Sequence, residues 1–146
     1  IRILIEVTNL KQKRDKMKKK DFKLHKAVVD GNLELVKELI SNGFDVNEND
    51  NNLLTPLHYA SQNYSNQKEN YEIAKALISA GCDIEAKDNF GNTPLSNAVY
   101  WFENDPLMIK LLLENGADKF NENNYGISPY TLAESIANHP VLQYLK

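Results

Sequence analysis

The chain has 146 residues, 42% of them hydrophobic and 25% charged, enough apolar material for one ordinary domain with its own core. No apolar run approaches the ~20 residues that a membrane-spanning helix needs. The single cysteine, Cys82, excludes an internal disulfide framework and any zinc cluster built on several thiolates. The net charge of −3 is unevenly divided: residues 1–20 carry eight basic and two acidic side chains, residues 21–146 nine Lys, no Arg and eighteen acidic ones. An acidic body behind a basic leader is a poor general binder of nucleic acid, whose phosphates demand Lys and Arg.

In chain order, Ile1–Val7 alternates apolar residues in the manner of a short strand, and Lys11–Lys20 is a charge run. The apolar part precedes the basic part and is short, which is the wrong order for a secretory signal. Met17-Lys18-Lys19-Lys20 would serve as a native start. Residues 1–20 are therefore expected to lie outside the fold, and residues 21–146 to form the domain.

Within that domain one pattern recurs. Thr55-Pro56-Leu57-His58, Thr93-Pro94-Leu95-Ser96 and Ser128-Pro129-Tyr130-Thr131 are preceded by a degenerate copy, Phe22-Lys23-Leu24-His25. Alanine follows each, at Ala27, Ala60, Ala98 and Ala133, and the third positions are spaced by 33, 38 and 35 residues. Gly43-Phe44-Asp45, Gly81-Cys82-Asp83 and Gly116-Ala117-Asp118 each begin twelve residues before the next Thr or Ser of the series. Thr followed by Pro is a helix start, an N-cap and then a residue whose missing N–H is not needed. Leu57 with Ala60, and Leu95 with Ala98, mark one buried face. Second helices follow at Leu35–Ile40, Ile73–Ile78 and Met108–Leu113, each stopped by a glycine. Leu53 stands where Gly91 and Gly126 stand in the other loops, which predicts an irregular first loop. Lys119-Phe120 replaces Val46-Asn47 and Ile84-Glu85, which predicts a splayed third one. The extra residues of the second unit fall in Tyr64–Glu72 and are expected to lengthen the turn between its helices. The last unit is expected to close the stack with helices Pro129–Asn138 and Val141–Leu145.

A unit of this length, reading Thr-Pro-Leu-His-x-Ala, an apolar helix and Gly-Ala-Asp, resembles the ankyrin repeat over residues 21–146. The resemblance implies an all-α solenoid of about four helix-turn-helix units with hairpin loops, at about 21–53, 54–91, 92–126 and 127–146. It also implies that His25 and His58 bridge backbone groups of adjacent units.

Catalytic chemistry was sought without result. There is no glycine-rich phosphate loop, no nucleophile elbow and no His-Glu-x-x-His. Cys82 reads as a small buried residue, His139 as a turn residue before Pro140, and Asp50 and Asp88 as loop-ordering carboxylates. No catalytic residue, metal site, cofactor or small-molecule substrate is expected.

What remains is surface. In ankyrin-like solenoids the loops and the exposed side of the first helices form a concave recognition face. Asn52, Phe90 and Tyr125 precede the loop turn positions, Tyr59 and Asn97 share one position on the first helices, and Asn63 and Trp101 another. Trp101 either joins this face or packs beneath the loop Phe102–Pro106. With Glu85 and Asp88, these residues are expected to bind another, basic, protein rather than nucleic acid or membrane. The stretch Asn123–Pro129 running into Leu132–Asn138 resembles the closing unit of small stand-alone bacterial ankyrin proteins, many of which look like immunity factors against secreted toxins. The expectation is a cytoplasmic, monomeric binding module, with toxin inhibition as a narrower reading that ranks below a general scaffold and above a host-directed effector.

Overall fold

The computed structural model describes residues 1–18, 21–62, 67–136 and 140–146. Among them are nine helices and no strand: α1 Arg2–Lys18, α2 Lys23–Val29, α3 Leu33–Ser41, α4 Pro56–Ser61, α5 Gln67–Ser79, α6 Pro94–Tyr100, α7 Leu107–Glu114, α8 Pro129–Ser135 and α9 Leu142–Leu145. Helices pair along the chain as α2 with α3, α4 with α5, α6 with α7 and α8 with α9. The first helices of successive pairs also pack on one another, α2 on α4, α4 on α6 and α6 on α8, while α3, α5 and α7 form a second row. The result is the expected all-α solenoid.

The repeated four-residue pattern sets each first helix. Thr55, Thr93 and Ser128 are extended N-caps whose hydroxyls accept the N–H of His58, Ser96 and Thr131, and proline follows each. In the first unit Phe22 holds the cap position in a left-handed conformation, φ 39°, and caps nothing. Leu24, Leu57 and Leu95 are fully buried between rows, and Ala27, Ala60, Ala98 and Ala133 let neighbouring helices approach closely. Val36 and Leu39, Ile73 and Leu77, and Ile109 and Leu112 supply the second row. Each such Leu or Ile contributes roughly 1.5–3 kcal/mol by leaving water. The second helices end at Gly43, Gly81 and Gly116, where the chain reverses through paired backbone hydrogen bonds such as Gly43 N–H to Ile40 and Phe44 N–H to Leu39.

Five expectations change. The leader is helical, not extended: a strand needs a neighbouring strand for its hydrogen bonds, and none is present among the described residues, whereas a helix satisfies its own. Its described apolar side chains, Ile1, Ile3, Leu4, Ile5, Val7 and Leu10, are all more than half exposed. The extra residues of the second unit go partly into α5, whose 13 residues exceed the 9 of α3 and 8 of α7. The first loop is regular, because Leu53 itself adopts φ 61° where Gly91 and Gly126 have 80° and 73°. The third loop is not splayed: Asp118 accepts the N–H groups of Phe120 and Asn121, as Asp83 does those of Glu85 and Ala86. Finally, α8 ends at Ser135, short of the expected Asn138, which lies outside the described residues.

Candidate functional site

The loops are built by one carboxylate or carboxamide each. Asp50 Oδ1 accepts the N–H groups of Asn52 and Leu54 at 2.8 and 3.0 Å. Asp88 does the same for Phe90 and Asn92, both at 2.9 Å, and Asn123 for Tyr125 and Ile127 at 2.9 and 3.0 Å. Successive loops are then stitched together: the N–H of Asn89 donates to the Asn52 carbonyl at 3.0 Å, and that of Asn124 to the Phe90 carbonyl at 2.9 Å. Side chains repeat the stitch on the far arm. Asn47 Oδ1 accepts the N–H of Asp83, and Glu85 accepts from the Asp118 N–H and the Asn121 carboxamide, each at 2.7 Å. Glu85, expected to contribute rim charge, is half-buried and already accepts two hydrogen bonds from the next loop.

The two histidines bridge units. The His25 and His58 Nε2 atoms lie 2.9 Å from the carbonyls of Leu54 and Asn92. His58 Nδ1 accepts the Thr55 N–H at 3.1 Å, which fixes the proton on Nε2. Burial holds the His58 pKa below its ordinary value, so the ring is neutral, although the Asn92 carbonyl and nearby aspartates oppose the shift. His25 Nδ1 is buried without a partner, because Phe22 replaces the capping Thr.

On this frame stand several of the exposed aromatic residues. Phe90 and Tyr125 project from adjacent loop tips, 51% and 70% exposed, with ring centroids 6.5 Å apart and planes tilted by 33°. Trp101, at the end of α6, is 41% exposed and meets Tyr100 edge-on at 5.3 Å. It is thus not enclosed beneath the loop after it. Phe102, in that loop, instead packs toward Tyr144. Tyr100, 64% exposed, is a member that sequence reasoning missed. The signal was its spacing of three from Asn97, one helical turn along the same side. Tyr59 is half-buried, and its hydroxyl donates to Asp50 Oδ2 at 2.6 Å. Burial alone would raise the Asp50 pKa, but this bond and those from Leu54 and Asn52, aided by His25, lower it overall. Asn97 occupies the position of Tyr59 one unit on, and Asn52 is exposed at its loop tip. Asn63 lies outside the described residues.

Two clefts open on this side. One, of about 380 Å³, lies between the first two units and includes Phe22, His25, Asp50 and Tyr59. The other, of about 310 Å³, lies between the third and fourth and includes Ser96, Asn97, Tyr100, Trp101 and Ile127. Among the described residues no group of three His, Cys, Asp or Glu is placed to hold a metal ion. Burial, with Asp83 adding to it, pushes the Cys82 thiol up to about 11, so it is not a nucleophile at neutral pH. Nor is any described helix long and apolar enough to cross a membrane.

Stacked helix pairs and loops stitched from unit to unit define a helical repeat solenoid. The chain belongs to the ankyrin repeat family: the model for ankyrin repeats (three copies) matches residues 1–88 and 64–146. Ankyrin repeats generally mediate protein–protein interaction and are typically non-catalytic. The chain is also similar to an ankyrin repeat protein of fowlpox virus (strain NVSL), 49% identical over 37 residues. That match spans 25% of this chain and 26% of the viral protein.

Proposed function

We propose that this protein is a non-catalytic binding module that holds a basic protein partner on its concave face. The observation that carries the reading is the Phe90–Tyr125 pair: two large rings, both more than half exposed, fixed on loops that are hydrogen-bonded to one another. Exposed aromatic side chains on a rigid backbone lose little entropy on binding and are the usual anchors of interfaces. Tyr59, Asn97, Tyr100 and Trp101 extend the face along the inner helices, and Asn52 continues the row of loop tips. The excess of eighteen acidic over nine basic side chains in residues 21–146 favours a basic partner and speeds encounter with it. Within that class, an acidic module suits a cytoplasmic, monomeric inhibitor of a basic toxin better than a host-directed effector, while a general scaffold stays ahead of both.

The test is capture of a partner from the source cells, followed by binding kinetics with Phe90→Ala/Tyr125→Ala. The double variant is expected to fold normally and to lose at least about 2 kcal/mol of affinity, mostly through faster dissociation. Wild-type binding by that variant, with loss on substituting Lys75 and Lys110 of the second row, would place the interface on the other side.

A further inference from the structure

Among the buried positions at which the third unit departs from the second, one removes a bridge between units. Thr55 and Thr93 have the same backbone conformation, φ −90° and ψ 166°, and each begins an equivalent helix. Three residues on, the second unit carries His58, whose ring spans to the Asn92 carbonyl at 2.9 Å. The third carries Ser96, 5% exposed, whose hydroxyl reaches only Thr93 Oγ1 at 3.4 Å. The counterpart of the Asn92 carbonyl is that of Ile127. It accepts the Asn123 N–H at 2.9 Å and receives no imidazole. Ser96 and Ile127, the two positions that an imidazole would bridge, both line the cleft of about 310 Å³ between these units. Asn97, Tyr100 and Trp101 form its wall toward the concave face.

We propose that this cleft is a subsite for an arginine side chain of the protein partner. The proposal rests on the concave-face reading and names what that face selects. Ile127, Ser96 and Asn97 line the cleft and bring groups able to accept hydrogen bonds, a main-chain carbonyl, a hydroxyl and a carboxamide oxygen, beside two aromatic rings. A guanidinium matches that set: it is planar, carries only donors, stacks on aromatic faces and is weakly hydrated for a cation. A lysine ammonium is more strongly hydrated and lacks the fork, and a carboxylate would find only neutral donors here and would be repelled by the acidic body. No charged side chain lines the cleft, and the acidic body around it supplies the attraction for a cation.

Trp101 is the only tryptophan in the chain, so its fluorescence reports on this cleft directly. The probe is N-acetyl-arginine methylamide, titrated at constant ionic strength against the whole protein, with the lysine and glutamine analogues as comparisons. A saturable change is expected for the arginine compound, with the other two weaker by about threefold or more. Ser96→His should restore the ring of the second unit, keep or raise the melting temperature and remove the arginine response. Asn97→Leu, on the wall, should weaken it by roughly threefold. No saturable response, an equal response to glutamine, or an unchanged response in a folded Ser96→His variant overturns the subsite. These outcomes are independent of the Phe90→Ala/Tyr125→Ala experiment, so failure of the subsite and failure of the concave face are told apart.

Discussion

Gly91 leaves no room for a side chain against Asn124 of the next loop. A Cβ added at Gly91 would stand 2.6 Å from Asn124 Oδ1 and 2.8 Å from its backbone nitrogen. The same nitrogen donates to the Phe90 carbonyl, so the contact sits at the base of the Phe90–Tyr125 pair. Gly126 has a similar positive φ, 73°, with open space around it. Gly126→Ala should therefore cost only the left-handed strain, about 1 kcal/mol. Gly91→Ala should cost that plus displacement of Asn124, about 2–4 kcal/mol in all. Urea unfolding of both variants measures the difference; equal losses would mean that the loops do not press together here.

Leu53 provides the converse case. It carries φ 61° with its side chain 44% exposed, so it bears strain and gains limited burial in return. Leu53→Gly is expected to raise stability by about 0.5–1 kcal/mol, the relief of left-handed strain less the entropy that glycine adds to the unfolded chain. A calorimetric melt shifted downward would contradict this.

Acidification should destabilise the protein in two separate windows. The folded His58 pKa lies below its ordinary value of 6.5, so its contribution is complete above that pH and is lost as the pH falls below it. The Asp50 pKa is lowered from 3.8, so its contribution is complete above that value and disappears as the pH falls further. His58→Ser, which copies Ser96, should be less stable at pH 7 yet show a flatter profile between about pH 7 and 5. Tyr59→Phe removes a hydrogen bond to Asp50 and should flatten the profile only below about pH 4. Chemical denaturation across pH resolves the two.

Charge at the proposed binding face can be varied without disturbing the loops at only one of the two acidic positions. Asn123 already performs in its loop what Asp88 does in the previous one, so Asp88→Asn should fold normally. Its expected effect on a basic partner is slower association with a shallower salt dependence. Glu85→Gln should also lower stability, by about 1 kcal/mol, because it weakens the acceptor for Asp118 and Asn121. Surface-plasmon kinetics at two salt concentrations, set beside thermal melts, separates the roles.

The leader offers a simple deletion test. Its described apolar side chains are exposed, and we expect removal of residues 1–16 to leave the melting temperature within about 2 °C. A larger fall would show that α1 supports the first unit.

The sequence by itself determined the solenoid, because each unit repeats a local code. Thr or Ser before Pro caps a helix, Leu and Ala at fixed spacing bury one face, and Gly ends the second helix; none of this needs knowledge of distant contacts. It also marked Phe90 and Tyr125, whose equal offsets from the capping residue put them at neighbouring loop tips. The tertiary structure decided what depends on contact between units. Glu85 reads as free charge until the next loop is in place to donate to it. Leu53 reads as a disrupted turn, but stitching to the Asn89 loop and the bonds to Asp50 hold the regular geometry and leave the strain on one residue. Ser96 reads as a mild variant of histidine. Only across the gap to Ile127, thirty-one residues away in the chain, does the missing ring become a cleft. Local propensity is written residue by residue, whereas a space between two units belongs to neither of them.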